Sequence, residues 1–398
     1  MKFIATKAVK RISFLAVFLI VSYILFSSFC CLIEVPPYVA SKTPRSDFIP
    51  NKYGKGELIL DPIYQKIPIL ILRGSPAELG EQQGRLLKPQ LTTSIDTYLN
   101  RFLAQEEPKK RALVGMKSME PFVPVEYRQE LEAMSHASGL SFDRLLLLQT
   151  IIDEPRLPFC SAIISSRPAT KEAPLIFGRN LDFPSLGIAV HHSLITVYQP
   201  DGKKSFASIT WPGFAGVISG INEDGLTLAM LVSFDGTTNL AGMPSIMLFR
   251  KILEETSDLD GAVKIIKETK RTAPTNLAIA DARGQSAVIE FTSDNVAVRY
   301  PEKGLLYCTN WFISEQMKLS EGDKRYAAMQ KQAEGYYGKI GLAETIKVLK
   351  SAILPVINIQ SMVILPREKI IHLSIGFIPA AERDFRKIDL TEYLNPHK

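Results

Sequence analysis

Cysteine is scarce. The chain of 398 residues holds four, and two of them, Cys30 and Cys31, sit inside an apolar run near the start, where packing or lipid contact is their ordinary role. Only Cys160 and Cys308 remain for the body. Two cysteines do not make a disulfide framework, and a chemically active Cys160 has to stay unpaired. Histidine is nearly as sparse, at five. His191 and His192 are neighbours, and neighbours on a strand point to opposite faces, so they cannot easily chelate one metal. There is no zinc spacing, no phosphate-binding loop, no dinucleotide fingerprint and no Gly-x-Ser-x-Gly elbow, so neither a metal nor a nucleotide cofactor is implied. The body also lacks an excess of positive charge. Of the formal net charge of +6, Lys2, Lys7, Lys10 and Arg11 supply four units, and no basic stripe with interleaved aromatics follows. Nucleic acid is not an expected partner.

One long apolar run is present. Ile12 to Ile33 carries no charge and is long enough to cross a bilayer as a helix. The basic flank before it and Glu34 beyond it leave the short tail in the cytoplasm and the body outside. This segment, residues 1–33, reads as a membrane anchor, with a cleaved signal peptide as the competing reading, in which case the body is secreted or periplasmic. Residues 34–60, with Pro36, Pro37, Pro44 and Pro50, read as a linker.

The body divides by pattern. Residues 61–159 are mainly helical. Ser75-Pro76-Ala77-Glu78 is a helix start with N-cap, first-turn proline and capping glutamate, and the pattern runs to about Ala104, kinked or split at Pro89. Further helices are expected at Val125 to His136 and Phe142 to Ile152. Residues 160–398 alternate blocks of strands with blocks of helices. Strands are expected at Ser193 to Tyr198, Ser205 to Thr210, Gly216 to Gly220 and Leu226 to Val232, separated by Asp201-Gly202, Pro212-Gly213 and Asp224-Gly225. Strands in blocks and helices in blocks indicate an α+β arrangement rather than a wound parallel sheet.

The segment from Phe159 to Phe183 concentrates the chemistry. An apolar stretch after Cys160, a proline-containing turn and a second apolar stretch lead to Gly178-Arg179-Asn180-Leu181-Asp182. If the two stretches pair antiparallel, Arg179 and Asp182 return to Cys160. A guanidinium and a carboxylate beside a thiol can hold it as thiolate or orient the group that deprotonates it. The plain alternative is a buried structural cysteine near an ion pair.

These residues resemble the nucleophile region of the N-terminal-nucleophile cysteine hydrolases, nearest the acyltransferases related to isopenicillin N acyltransferase, with choloylglycine hydrolases, penicillin V acylase and acid ceramidase more distant. Three further segments are similar to the family's: Gly74-Ser75-Pro76-Ala77-Glu78, the run Trp211 to Leu226 ending in Asn222-Glu223-Asp224-Gly225-Leu226, and Thr309-Asn310-Trp311-Phe312. Trp311 stands where a histidine is often seen. The resemblance implies a four-layer αββα Ntn-hydrolase sandwich. It implies self-cleavage between Phe159 and Cys160, with the residues before Cys160 forming a smaller chain that stays with the larger. The new α-amine then serves as base toward its own thiol. By the same resemblance Arg179 and Asp182 position amine and thiol, and Asn222 is a candidate oxyanion donor, although an Asn at a turn ordinarily stabilises the turn. Asn310 is a candidate for the oxyanion or for fixing the amine. Arg325 belongs to the charge network, or is a solvated arginine at a helix start. The implied activity is hydrolysis or transfer of the acyl group of a small linear amide, and nearness to a membrane favours a lipophilic acyl group. A binding module that keeps the fold and is never cut is the other class of reading.

Overall fold

Short apolar runs rich in Val, Ile and Leu, cut by glycine turns, give two sheets in the computed structural model, which describes residues 48–63, 66–153, 159–320 and 322–395. Residues 12–33 lie outside the described residues, so the anchor and signal readings fall outside them too. Among the described residues no helix is long and apolar enough to cross a membrane.

The larger sheet begins with β1 (Asn51–Tyr53), β2 (Gly56–Leu60) and β3 (Pro68–Gly74). The second sheet takes the next two strands, β4 (Phe159–Ser166) and β5 (Leu175–Asp182). The chain then returns to the larger sheet for β6 (Leu194–Pro200), β7 (Phe206–Thr210), β8 (Ser219–Asn222), β9 (Thr227–Val232), β10 (Thr275–Ala280), β11 (Ser286–Phe291) and β12 (Val296–Arg299). The remainder, β13 (Leu305–Cys308), β14 (Asn358–Leu365), β15 (Ile370–Ile375) and β16 (Arg386–Asp389), completes the second sheet. The spatial orders are β1-β2-β3-β6-β7-β8-β9-β10-β11-β12 and β13-β4-β5-β14-β15-β16. Strands β3 and β6 run parallel, with Ile69 opposite Ile195, and the other neighbours are antiparallel. The sequence before Cys160 thus lies inside the same sheet as the sequence after it.

Helices cover both outer faces. Of the longer ones, α1 (Pro76–Leu86), α2 (Glu106–Met119), α3 (Val125–Ser138) and α4 (Phe142–Thr150) precede the second sheet's first strand. Beyond it, α5 (Ser245–Glu255) and α6 (Leu259–Glu268) pack on the larger sheet, and α7 (Lys324–Glu334) and α8 (Leu342–Lys350) on the smaller. Because β4 meets β9 and β11 meets β13, the order is helix, sheet, sheet, helix, an α+β sandwich. Side chains of Cys160, Ala162, Ile164 and Phe177 join the core between the sheets, whereas Ile163, Ile176 and Val363 join the core under α8. That is the alternation a two-faced buried strand requires.

Helix α1 starts as its sequence predicts, with Ser75 and Glu78 in a reciprocal capping box. It packs tightly on α3, where a Cβ on Gly80 would lie 1.9 Å from the Glu130 carbonyl oxygen. Its continuation is split near Pro89: the helix ends at Leu86 and a short one, Lys88–Thr92, follows. After Pro89 the chain passes into a π-helical stretch, Thr93–Leu99.

Three expectations change. Residues 51–60, read as linker, form the β1/β2 hairpin, turning at Gly54 with φ +57°, and pair onto β3 through Glu57 and Ile71. Helix α2 was not expected, since Pro108 and a run of charged residues mask its narrow apolar stripe of Ala112, Met116 and Met119. The strand expected from Gly216 starts only at Ser219, because Val217 donates instead to the Ile246 carbonyl in the first turn of α5 at 2.8 Å.

Candidate active site

Strands β4 and β5 pair antiparallel with Phe159 opposite Asp182, Cys160 opposite Leu181 and Ala162 opposite Arg179. The short hairpin therefore returns the arginine and the carboxylate to the cysteine, as the local pattern requires. Both cysteines of the body are buried and not in disulfides.

The backbone around Cys160 is held from two sides. Its N–H donates to Asn310 Oδ1 at 2.7 Å, and its carbonyl accepts from Arg325 Nη1 at 3.1 Å. Arg325 Nη2 donates to the same Asn310 oxygen at 2.8 Å. Asp323 fixes Arg325 in turn: its carboxylate accepts from Nε at 2.9 Å and Nη2 at 2.6 Å, and it also caps α7 by accepting the backbone N–H groups of Arg325 and Tyr326. The N-cap chemistry that starts the helix thus aims its first-turn arginine inward. The Phe159 ring lies 5.8 Å from the Arg325 guanidinium and 5.2 Å from Phe234, so the residue before the cysteine is anchored too.

Arg179 is fully buried between the sheets. Its Nε donates to Ser219 Oγ at 2.6 Å and its Nη2 to the Met230 carbonyl at 3.0 Å, with Nη1 on the Asn180 carbonyl. Asp182 accepts from Asn358 Nδ2 at 2.8 Å and the Leu354 N–H at 3.1 Å, and lies 3.6 Å from Arg325 Nη1. Burial pushes the Asp182 carboxyl up to about 6 despite Asn358 and Arg325. Burial likewise pushes the Cys160 thiol up, opposed by the adjacent Arg179 guanidinium. In the intact chain the sulfur is a buried thiol with a positive charge beside it.

One expectation about the oxyanion needs correction. Asn222 does not join the cluster. Its Nδ2 donates to the Leu253 and Thr256 carbonyls at 2.9 and 2.8 Å, and its Oδ1 accepts from the N–H groups of Asp224 and Leu226. Its Oδ1 serves the turn, as asparagine at a turn does, and its Nδ2 holds carbonyls at the C-terminal end of α5. Asn310 does join the cluster, with its oxygen on Cys160 and its Nδ2 on the Val232 carbonyl at 2.8 Å. It holds the nitrogen of Cys160. Arg325 is part of the charge network, not a solvated helix start.

Sequence reasoning missed Asp323, Ser219 and Asn358. Asp323 carried a signal, an Asp ahead of a helix. Asn358 reaches Asp182 only through the register of β14 on β5, and no local pattern carries that.

Beside the cluster lies a cavity of about 40 Å³ whose lining includes Leu181, Tyr98, Phe102, Phe183 and Trp211. Leu181 is the cross-strand partner of Cys160, and directly opposed side chains stand about 5 Å apart, so the apolar cavity opens next to the thiol. Among the described residues no group of three or more His, Cys, Asp or Glu side chains is placed to hold a metal.

The family model described as acyl-coenzyme A:6-aminopenicillanic acid acyl-transferase matches residues 169–361. Residues 169–361 belong to that family. The acyltransferase-family segment takes in Arg179, Asp182, Asn310, Arg325 and Asn358, and begins just after Cys160. Among curated proteins, the chain is 24% identical over 268 residues to an uncharacterized protein of Archaeoglobus fulgidus, covering 58% of this chain and 45% of that one. It is also 24% identical to protein dcd1A of Dictyostelium discoideum over 293 residues, covering 60% and 66%. The matches thus span about half to two thirds of the length of these relatives. Among solved structures, a Caenorhabditis elegans N-acylethanolamine-hydrolyzing acid amidase ortholog aligns at TM-score 0.43 and 17% identity, over 52% of this chain and 93% of that one. Penicillin V acylase from Agrobacterium tumefaciens aligns at TM-score 0.44 and 15% identity, over 58% and 87%.

Proposed function

We propose that this protein is a self-processing N-terminal-nucleophile amidohydrolase or acyltransferase that works through a thioester on Cys160. What supports the reading most directly is the grip on the Cys160 nitrogen: Asn310 Oδ1 accepts it at 2.7 Å within a cluster that includes Arg325, Arg179 and Asp182. A buried peptide N–H beyond the end of the β13 pairing takes an acceptor of any kind, and here the acceptor is a side-chain oxygen that Arg325 also holds. For a nitrogen that becomes the catalytic amine, that oxygen is a fixed partner.

The chemistry follows from one residue carrying both groups. In the precursor the Cys160 sulfur attacks the Phe159 carbonyl carbon, the C–N bond breaks, and the acyl group moves to sulfur while the nitrogen takes up the thiol proton. Water then cleaves the thioester, giving the Phe159 carboxylate and a free thiol. In the processed enzyme the α-amine, with a reference pKa of roughly 8, accepts the thiol proton. The thiolate attacks the substrate amide carbonyl, and the ammonium returns the proton to the departing amine. Water completes hydrolysis, and a second amine in its place completes acyl transfer. Asn310 keeps the amine in reach, while Arg179 and Asp182 set the charge around the thiol.

The substrate class is a small linear amide with a lipophilic acyl group, because the cavity next to Leu181 is walled by aromatic and aliphatic side chains. Residues 12–33 serve as membrane anchor or cleaved signal, with the body on the extracytoplasmic side. Residues 61–159 are the small chain and 160–398 the large one, and the pairing of β3 with β6 keeps the two together after cleavage.

Intact mass and N-terminal sequencing of the purified protein, beside Cys160→Ala, test this. The expected result is two fragments, the larger beginning at Cys160, and one uncut chain for the variant. A single stable chain from both proteins overturns the processing mechanism and leaves a binding module.

A further inference from the structure

The lining of the cavity is apolar with few exceptions, and those exceptions are not alike. The Tyr98 hydroxyl donates to the Pro184 carbonyl at 2.8 Å, and Trp211 Nε1 donates to the Ala189 carbonyl at 2.7 Å. Both donors are committed to backbone. Ser94 is different. It lies in the π-helical stretch Thr93–Leu99, and its hydroxyl meets His192 Nδ1 at 2.8 Å. The two threonines just before it, Thr92 and Thr93, turn back onto their own helix, donating to the carbonyls of Lys88 and Pro89 at 3.1 and 3.2 Å. That back-bonding is the ordinary habit of a helical hydroxyl. Ser94 instead reaches across to a histidine whose ring is packed edge-on against Phe48, and both Ser94 and His192 are buried.

A serine hydroxyl has one donor and two acceptor sites, and one hydrogen bond to an imidazole uses one of them. Ser94 is among the residues that line the cavity, which puts the remaining capacity within reach of a ligand there. Leaving it unanswered in an apolar chamber costs free energy, so a ligand group that answers it is favoured over a methylene. We infer that Ser94, held by His192, is a specificity subsite that recognises a hydroxyl on an otherwise apolar acyl chain. The choice of hydroxyl follows from the tautomers. If Nδ1 accepts, Ser94 presents lone pairs and wants a donor. If Nδ1 carries the proton, Ser94 presents its own O–H and wants an acceptor. A hydroxyl meets either state, a carbonyl or an amine only one. The π-helical geometry has a role here, since widened turns of this kind redirect a side chain away from the path of a regular helix.

The inference rests on the reading of the cavity as the acyl site, and the test separates the two. The full chain is assayed with a saturated straight-chain acyl arylamide and with analogues bearing one hydroxyl at successive carbons. The matching free acids are titrated by calorimetry into Cys160→Ala, where no turnover is needed. One hydroxylated analogue is expected to exceed the plain chain roughly five- to tenfold, in kcat/KM and in Kd alike. Ser94→Ala brings that ratio to about one, whereas Ser94→Thr, which retains the hydroxyl, preserves the preference. If no amide is turned over but the hydroxylated acid still binds with a Ser94-dependent preference, the amidase reading fails and the subsite stands. No preference in the unmodified protein, an equal loss on all ligands in Ser94→Ala, or no binding of any acid overturns the subsite.

Discussion

Two of the buried arginine clusters among the described residues, that of Arg250 and that of Arg179 with Arg325, differ in what they face, and of these two the second lies beside Cys160. Arg250 on α5 lies 2.7 Å from Glu130 and 2.7 Å from Glu254, with its guanidinium over the rings of Tyr127 and Tyr198 at 4.4 and 4.8 Å. Lys203 closes the group onto Glu254 at 2.8 Å. Against the cost of burial, Arg250 and Lys203 hold Glu254 below the ordinary carboxylate range, while burial pushes Glu130 up to about 7. Charge there answers charge. Around Cys160 the charges divide: Arg325 is paired with the Asp323 carboxylate and lies 3.6 Å from Asp182, whereas Arg179 donates to the neutral oxygens of Ser219, Met230 and Asn180. The positive charge of Arg179 is thus left beside the sulfur. Buried charge alone does not mark a reactive site; the direction in which it is left uncompensated does.

The comparison can be broken by mutation, and the largest effect belongs to the structural cluster. Arg250→Ala strands two buried carboxyls and is expected to cost about 3–5 kcal/mol of stability, read as a lower denaturation midpoint. The fraction that still folds should process normally. If instead processing were lost in folded protein, the division between the two clusters would collapse. Arg325→Ala should do the reverse. Misplacing the Cys160 backbone lowers the rate of processing by about 100-fold, with a smaller loss of stability because Asp323 retains partial exposure, 16% of its side chain. Single-turnover mass spectrometry beside a urea titration separates the two effects.

Residue for residue, the smallest expected effect is in pH. Burial pushes the carboxyls of Asp182 and Asp153 each up to about 6, above the roughly 3.9 of an unfolded chain. Between those values the folded protein binds more protons than the unfolded one. The stability these groups contribute is complete below the lower value and is lost as pH rises through the upper. The melting temperature should therefore fall between about pH 4.5 and pH 7, a change of about 2 kcal/mol per carboxyl, and Asp182→Asn should flatten part of the slope. A rise over that window would show that the arginines, not burial, dominate at Asp182.

Much of this was legible in the chain because the informative contacts are local. The hairpin from Phe159 to Asp182 follows from one turn between two apolar runs, and Arg179 and Asp182 come back to Cys160 by register alone. The turns at Gly202, Gly213 and Gly225 sit at positive φ, where glycine is favoured. What failed was non-local or was overruled. Asn222 is a turn residue by local pattern and a catalytic candidate by family likeness, and its hydrogen bonds, two within the turn and two to the end of α5, side with a structural role. Asn358 and Ser219 reach the site across strand pairings and sheet packing that no window of sequence contains. Helix α2 is polar on most of its surface, so its period is faint.

The parallel pairing of β3 with β6 has a practical consequence for anyone making this protein. A gene trimmed to begin at Cys160 looks like a shortcut past the cutting step. It would also remove β1, β2 and β3, and uncover the flank of β6, whose residues Leu194 to Tyr198 are all buried in the whole chain. A bare apolar flank of that kind invites another strand to add to it. The proposed cut is then not a step that can be bypassed by design, because the chain before Cys160 holds up the sheet.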